Sequence, residues 1–166
     1  MFAAFALAAG GSLPGCSLLS FDVTQQIPAQ TVPGSPLGAL LPAALFQIPV
    51  NVDIWAATQA MGTGPANSVT LKSFSLTVTS PAGGTFEFLD SISIRVASPG
   101  DASLPEVEIA NLPDVPAEAT ISIPPTGDVN LLPYINAGAE ITATASGHMP
   151  AQDVTFNGQL TLKVSA

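Results

Sequence analysis

Few side chains in this chain could carry chemistry. Its 166 residues hold one cysteine, one histidine and three cations, Lys72, Arg95 and Lys163, against twelve carboxylates. Any Ser-His-Asp arrangement must use His148, with Asp153 or Asp128 as the group that orients it. Gly34-Ser35-Pro36-Leu37-Gly38 resembles a nucleophile elbow superficially, but that turn requires Gly-x-Ser-x-Gly and here the serine stands one place early. His148 falls in a Gly-His-Met-Pro turn between two expected strands, an ordinary setting for a solvated histidine. A catalytic base must be held by other groups of its site, so no catalytic residue is assigned and no enzymatic activity is expected. Asp101, Glu106, Glu108 and Asp114 cluster closely enough to raise calcium, which takes roughly six to eight oxygens. Glu106 and Glu108 share one strand parity, however, and read more simply as a solvated, charged sheet edge. Asp128-Val129-Asn130 lacks the glycine and terminal glutamate of an EF-hand loop. Neither metal nor cofactor is expected.

The cysteine is the more informative residue. Cys16 closes the stretch Leu13-Pro14-Gly15-Cys16, just after the apolar run Phe2 to Ala9. This arrangement resembles the lipobox of bacterial lipoproteins. Leu13, Gly15 and Cys16 occupy that pattern's places, and Pro14 departs from its usual small residue. The resemblance implies that residues 1–15 are a signal peptide, and that Cys16 becomes an acylated N-terminus carrying several chains, palmitate among them. It implies anchorage in the bacterial cell envelope, and Ser17 in place of aspartate leans toward the outer membrane. Secretory signals open with a basic region, whereas no Lys or Arg precedes Lys72, so a basic segment is expected upstream of Met1. Two other readings remain open: ordinary secretion with cleavage at Ala6-Leu7-Ala8, or a core helix over residues 1–19 with Cys16 buried. A membrane span is not expected, because it needs about 20 mostly apolar residues and Gly10, Gly11, Pro14 and Gly15 interrupt the run.

Composition narrows the remaining possibilities. Charged residues are 9% and hydrophobic ones 47%, so the solvent face must be largely Ser, Thr, Asn, Gln and Ala. Such a chain is not disordered, since disorder combines low hydrophobicity with high charge. One cysteine excludes an intrachain disulfide, and the fold must stand on packing. A net charge of −9 with three cations argues against nucleic acid, whose binding rests on Lys and Arg neutralising phosphates. It also argues against attraction to anionic headgroups. Membrane partnership would come from the acyl chains.

The elements that must position these residues are strands. Val154, Phe156, Gly158, Leu160, Leu162 and Val164 alternate with Thr, Asn, Gln and Lys, the period of a strand with one buried face. Thr85 to Ser98 gives one long strand or two short ones broken at Asp90. Val69 and Leu71 face one way and Phe74, Leu76 and Val78 the other, so a β-bulge is expected at Lys72-Ser73. Phe21 to Ile27, Gln47 to Thr58, Glu106 to Leu112, Ala119 to Ile123 and Glu140 to Ser146 are further strands. One helical turn is expected at Val129 to Asn136, ahead of Gly138 as a stop. Turn chemistry such as Pro81-Ala82-Gly83-Gly84 and Pro124-Pro125-Thr126-Gly127 separates the segments. Together they predict an all-β fold, a single antiparallel β-sandwich, Ig-like or similar, of seven to nine strands in two sheets. Trp55 is expected in its core, and two lone aromatics, Trp55 and Tyr134, do not make a sugar platform.

One segment departs from this pattern. No charged residue occurs from Val23 to Val52, and prolines at 33, 36 and 42 exclude a regular strand or long helix through its middle. The chain divides into a signal (1–15), an acylated N-terminus with first strand and Pro/Gly-rich apolar loop (16–46), and the rest of the sandwich (47–166). The loop either plugs an open end of the sandwich or presents Leu37, Leu40, Leu41, Leu45 and Phe46 as a surface touching lipid or a partner, its place soon after Cys16 making membrane proximity easy. The expected function is a membrane-anchored, non-enzymatic structural or binding module of the envelope, with an envelope protein as partner. The alternative is a carrier of a lipid or other apolar ligand, with residues 32–46 as its flap. An enzyme built on His148 is the remotest reading.

Overall fold

The computed structural model describes residues 19–166, so the Leu13–Cys16 stretch and the apolar run before it lie outside the described residues. The elements run β1 Ser20–Val32, β2 Ala44–Pro49, α1 Ile54–Met61, β3 Ser68–Ser80, β4 Leu89–Ala97 and β5 Val107–Leu112. They continue with β6 Thr120–Ser122, α2 Leu132–Asn136, β7 Glu140–Gly147 and β8 Val154–Ser165. One sheet has the order β1-β8-β3-β6, the other β2-β7-β4-β5, and every neighbouring pair is antiparallel. The first strand pairs with the last, the second with the seventh, the third with the sixth and the fourth with the fifth. A single long hairpin rolled up on itself gives this order, which defines an eight-stranded jelly roll. The antiparallel sandwich read from periodicity is therefore present, and strand order specifies which sandwich it is.

The inner faces are built by alternation. Along β8, Val154, Phe156, Leu160, Leu162 and Val164 are all buried. Gly158 takes the remaining inward place, because a β-carbon there would lie 2.5 Å from the Ser75 carbonyl oxygen and 2.6 Å from a Leu76 methyl. The Phe156 ring sits 5.9 Å from Phe46 of the opposite sheet and 5.7 Å from Phe86. These three rings fill the space between the sheets near one end. The outer faces, short of charge, are wetted by hydroxyl pairs across strands: Thr31–Thr155 at 2.8 Å, Thr77–Thr120 at 3.1 Å and Ser91–Ser146 at 2.7 Å.

The bulge expected at Lys72-Ser73 is present, since Leu71 pairs with Leu162 and Ser73 with Thr161, leaving Lys72 over. A second bulge on the edge strand β1 absorbs Pro28 between Ile27 and Gln30, where the missing N–H breaks no ladder bond. Several elements differ from expectation. The strand Gln47 to Thr58 ends at Pro49, and the chain turns into α1. Asp53 caps that helix, its carboxylate accepting from the Ala56 N–H at 2.8 Å, and Gly62 ends it in the left-handed conformation. Alternation of Ile48, Val50, Val52 and Ile54 had masked this N-cap signal. Trp55, expected in the core, is 67% exposed, because Ile54 and Thr58 form the buried side of the helix. Phe86 and Phe88 are buried from a turn preceding β4 and not from a strand. The loop expected through Phe46 is shorter, since β1 runs to Val32 and Ala44–Phe46 already belong to β2. Helix α2 covers the later part of the expected Val129–Asn136 turn, and Gly138 follows at φ +87°.

Phe156 joins the sheets with no disulfide to help. Phe156→Ala is expected to lower the unfolding free energy by about 3–5 kcal/mol, read as a lower urea midpoint at unchanged slope.

Candidate functional site

Strand direction sorts the loops to two ends of the sandwich. β1 carries the chain from Leu19 to Val32, a rise of about 40 Å at roughly 3.3 Å per residue. The end containing Leu19 also holds α1, the 98–106 loop, α2 and the C-terminal Ala166. The opposite end gathers residues 33–43, 81–88, 113–119 and 148–153. Leu19, Leu37, Leu40, Trp55 and Met61 are the large hydrophobic side chains exposed among the described residues. Leu37 and Leu40 lie at the far end, the other three at the end of Leu19.

At the far end, residues 33–43 form a pinned ledge. The Ser35 N–H donates to the Pro150 carbonyl at 2.7 Å, Met149 N–H to Ala39 at 2.7 Å and Leu41 N–H to Gly147 at 3.2 Å. The Asp153 carboxylate accepts from the Gly34 N–H at 2.8 Å. Gly34 passes so close to Gln152 that a β-carbon would lie 2.4 Å from its α-carbon. The ledge is thereby tied to the β7–β8 loop along its length. Of the apolar residues expected in the loop, Phe46 is buried and Leu45 half-buried within β2, Leu41 of the ledge is half-buried, and Leu37 and Leu40 are 91% and 76% exposed. The segment both plugs and presents: Phe46 enters the core as part of β2, while the two leucines remain in solvent.

Three of the candidate catalytic residues, Ser35, His148 and Asp153, share the ledge end, but no side-chain hydrogen bond links them into a relay. His148 is exposed beside this ledge, its backbone N–H bonded to the Phe88 carbonyl at 3.0 Å. Asp153 is occupied by Gly34, and Asp128 stands at the opposite end, ahead of α2. Ser35 lies in the pinned turn, with its carbonyl bonded to the Gly38 N–H.

The carboxylate cluster is divided as well. Asp101 accepts from the Ser103 hydroxyl and N–H, which hold it below the usual carboxylate range. Glu106 pairs with Arg95 at 3.2 Å, and β5 carries the chain away so that Asp114 emerges at the other end. Glu108 accepts from the Ser93 hydroxyl at 2.6 Å and the Asn111 amide at 3.1 Å. The Ser93 bond chiefly holds its pKa below the ordinary value, against partial desolvation and with help from Asn111 and Arg95. Ser93 and Asn111 also line an open groove of about 480 Å³ on the outer face of the β2-β7-β4-β5 sheet, with Ala43, Ser91, Thr144 and Ser146. Among the described residues no three His, Cys, Asp or Glu side chains stand together as a metal site.

The strand pairing thus defines a jelly-roll domain with an apolar ledge at one end and an exposed, helix-bearing surface at the other. No protein-family model matches the sequence, and no curated protein is similar to it. Among solved structures it is similar to the decameric BFDV capsid protein, at 13% identity and a TM-score of 0.43 over 89% of this chain and 98% of that one. The Triatoma virus structure follows at 11% identity and 0.38, over 86% and 63% of the two chains. A mud crab tombus-like virus structure gives 11% and 0.33, over 100% and 94%. Likeness of this extent carries no argument about function, and the jelly-roll assignment rests on the pairing itself.

Two measurements test this surface. Leu37→Ser combined with Leu40→Ser is expected to change the unfolding free energy by no more than about 0.5 kcal/mol per site, because neither side chain is packed; calorimetry checks it. Glu108 titrates lower folded than unfolded, so its stabilisation is present above the unfolded carboxylate range and is lost as pH falls through the folded value. Glu108→Gln should therefore flatten the fall in Tm between neutral and acidic pH.

Proposed function

We propose that this chain is a lipid-anchored, non-enzymatic module of the bacterial cell envelope, held through Cys16 and presenting the 33–43 ledge to an envelope protein. The observation that carries the reading is the polarity of β1. Cys16 lies three residues before Leu19, a span of about 11 Å at most, whereas Leu37 and Leu40 lie at the other end of the strand. An anchor at Cys16 sets the ledge facing away from its own bilayer, where exposed leucines on a pinned backbone suit contact with another protein.

The lack of any side-chain hydrogen bond from His148 to Ser35, Asp153 or Asp128 among the described residues supports the non-enzymatic part. Two features speak for a contact surface over a flap that admits an apolar ligand: the hydrogen bonds that tie the ledge down, and the Phe46–Phe156–Phe86 contacts in the space such a ligand would need. Outer-membrane delivery follows only from Ser17 within the same resemblance.

Intact mass of the protein produced from its native gene in a bacterial host, beside Cys16→Ala, tests the anchor. A diacylglyceryl-sized increment on a chain beginning at Cys16, lost in the variant, is the expected result. An unmodified chain would end the lipoprotein reading.

A further inference from the structure

The surface around α1 has no role in the ledge, yet it is unusual for a solvated helix. Residues 54–71 contain no charged side chain, and neither do residues 129–139, which include α2. A helix facing water normally carries charge on its outer side. Here the outer side of α1 offers Trp55, Ala56, Gln59, Ala60 and Met61, with Trp55 67% and Met61 58% exposed. Trp55 borders a shallow groove with Pro65, Ala66 and Leu132.

This surface sits where the chain leaves for Cys16. Ser20, Ser165 and Ser68 are in register across the sheet. The Leu19 carbonyl accepts from the Ala166 N–H at 2.9 Å, and Asn67, just after the α1 loop, donates to Ser165 at 2.8 Å. Leu19 is itself 54% exposed. An acyl chain on Cys16 would thus enter lipid within about 11 Å of Leu19, at the end of the sandwich that also carries Trp55 and Met61. Tryptophan suits the boundary between headgroups and acyl chains, with its ring in the apolar layer and its N–H toward water. The charges around this end are the carboxylates Asp53, Asp101, Glu106, Asp128 and Glu140, the Asp22–Lys72 pair, and the cations Arg95 and Lys163. That balance does not favour an anionic surface.

We infer that the α1 end, with Leu19, Trp55 and Met61, seats on the interface of the anchoring bilayer and is matched to zwitterionic lipid. This inference rests on the proposed acylation of Cys16. Seating stands the sandwich upright on the membrane and fixes the ledge at a set height above it.

Trp55 is the chain's single tryptophan, so its emission reports this surface alone. The acylated protein is reconstituted in phosphatidylcholine vesicles containing phosphatidylcholine brominated on its acyl chains, and recovered by flotation. Flotation that is lost in Cys16→Ala, with Trp55 emission shifted to shorter wavelength and quenched by bromine, is expected. In a Trp55→Phe background, Leu37→Trp places the reporter on the ledge and should stay unquenched. Protein that floats with Trp55 unquenched would overturn the seating while leaving the anchor standing, and would reassign the surface to solvent or a protein partner. Quenching at both positions would mean that the sandwich lies along the membrane, which also overturns it. Failure to float would remove the anchor, and the seating with it.

Discussion

The contact between sheets at Phe156 is the interaction on which the molecule depends. β8 is the central strand between β1 and β3, and its inward side chains meet Phe46 from β2 and Phe86 from the turn before β4. A chain with one cysteine has no covalent tie between its layers. The sandwich must therefore be held by apolar burial at close packing, where a missing ring leaves an unfilled hole. The need for close approach also explains Gly158, placed inward where Ser75, Leu76 and Ile27 leave no room for a β-carbon.

With the core satisfied in this way, the large hydrophobic side chains left exposed among the described residues lie at the ends. The sheet faces are covered by hydroxyl pairs, and the scarce charges are spent locally, Lys72 on Asp22 and Arg95 on Glu106. Such exposed pairs contribute little to stability, but they leave few cations for outside partners. The two ends differ in construction. The ledge is fixed by backbone bonds to the β7–β8 loop, while the α1 end carries a capped helix whose outer side is uncharged. The proposed tether would stand at the α1 end and the proposed contact surface at the ledge.

Much of the sandwich was legible because one-sided burial writes itself as period two. β8 shows it without interruption, and the parity slip at Lys72-Ser73 marked the bulge that leaves Lys72 unpaired in register. The helix α1 was obscured because Ile48, Val50, Val52 and Ile54 continue a strand's alternation across Pro49 and into the helix. Asp53 and Gly62, at cap spacing, were the signal that could have separated them. Phe86 and Phe88 imitated a strand for a similar reason: two buried rings in a turn have the same spacing as two on one face.

By itself the sequence determined the all-β class, the absence of an intrachain disulfide, the shortage of cations and the single places of Cys16, His148 and Trp55. These follow from counts and from local periodicity, which depend on neighbouring residues alone. Only the tertiary structure decided the jelly-roll order, the separation of His148 from Asp128 and of Asp101 from Asp114, and which apolar residues stay in solvent. The physical reason is that pairing between strands distant in the chain sets direction. Direction determines the end at which each loop emerges, and no local pattern encodes it.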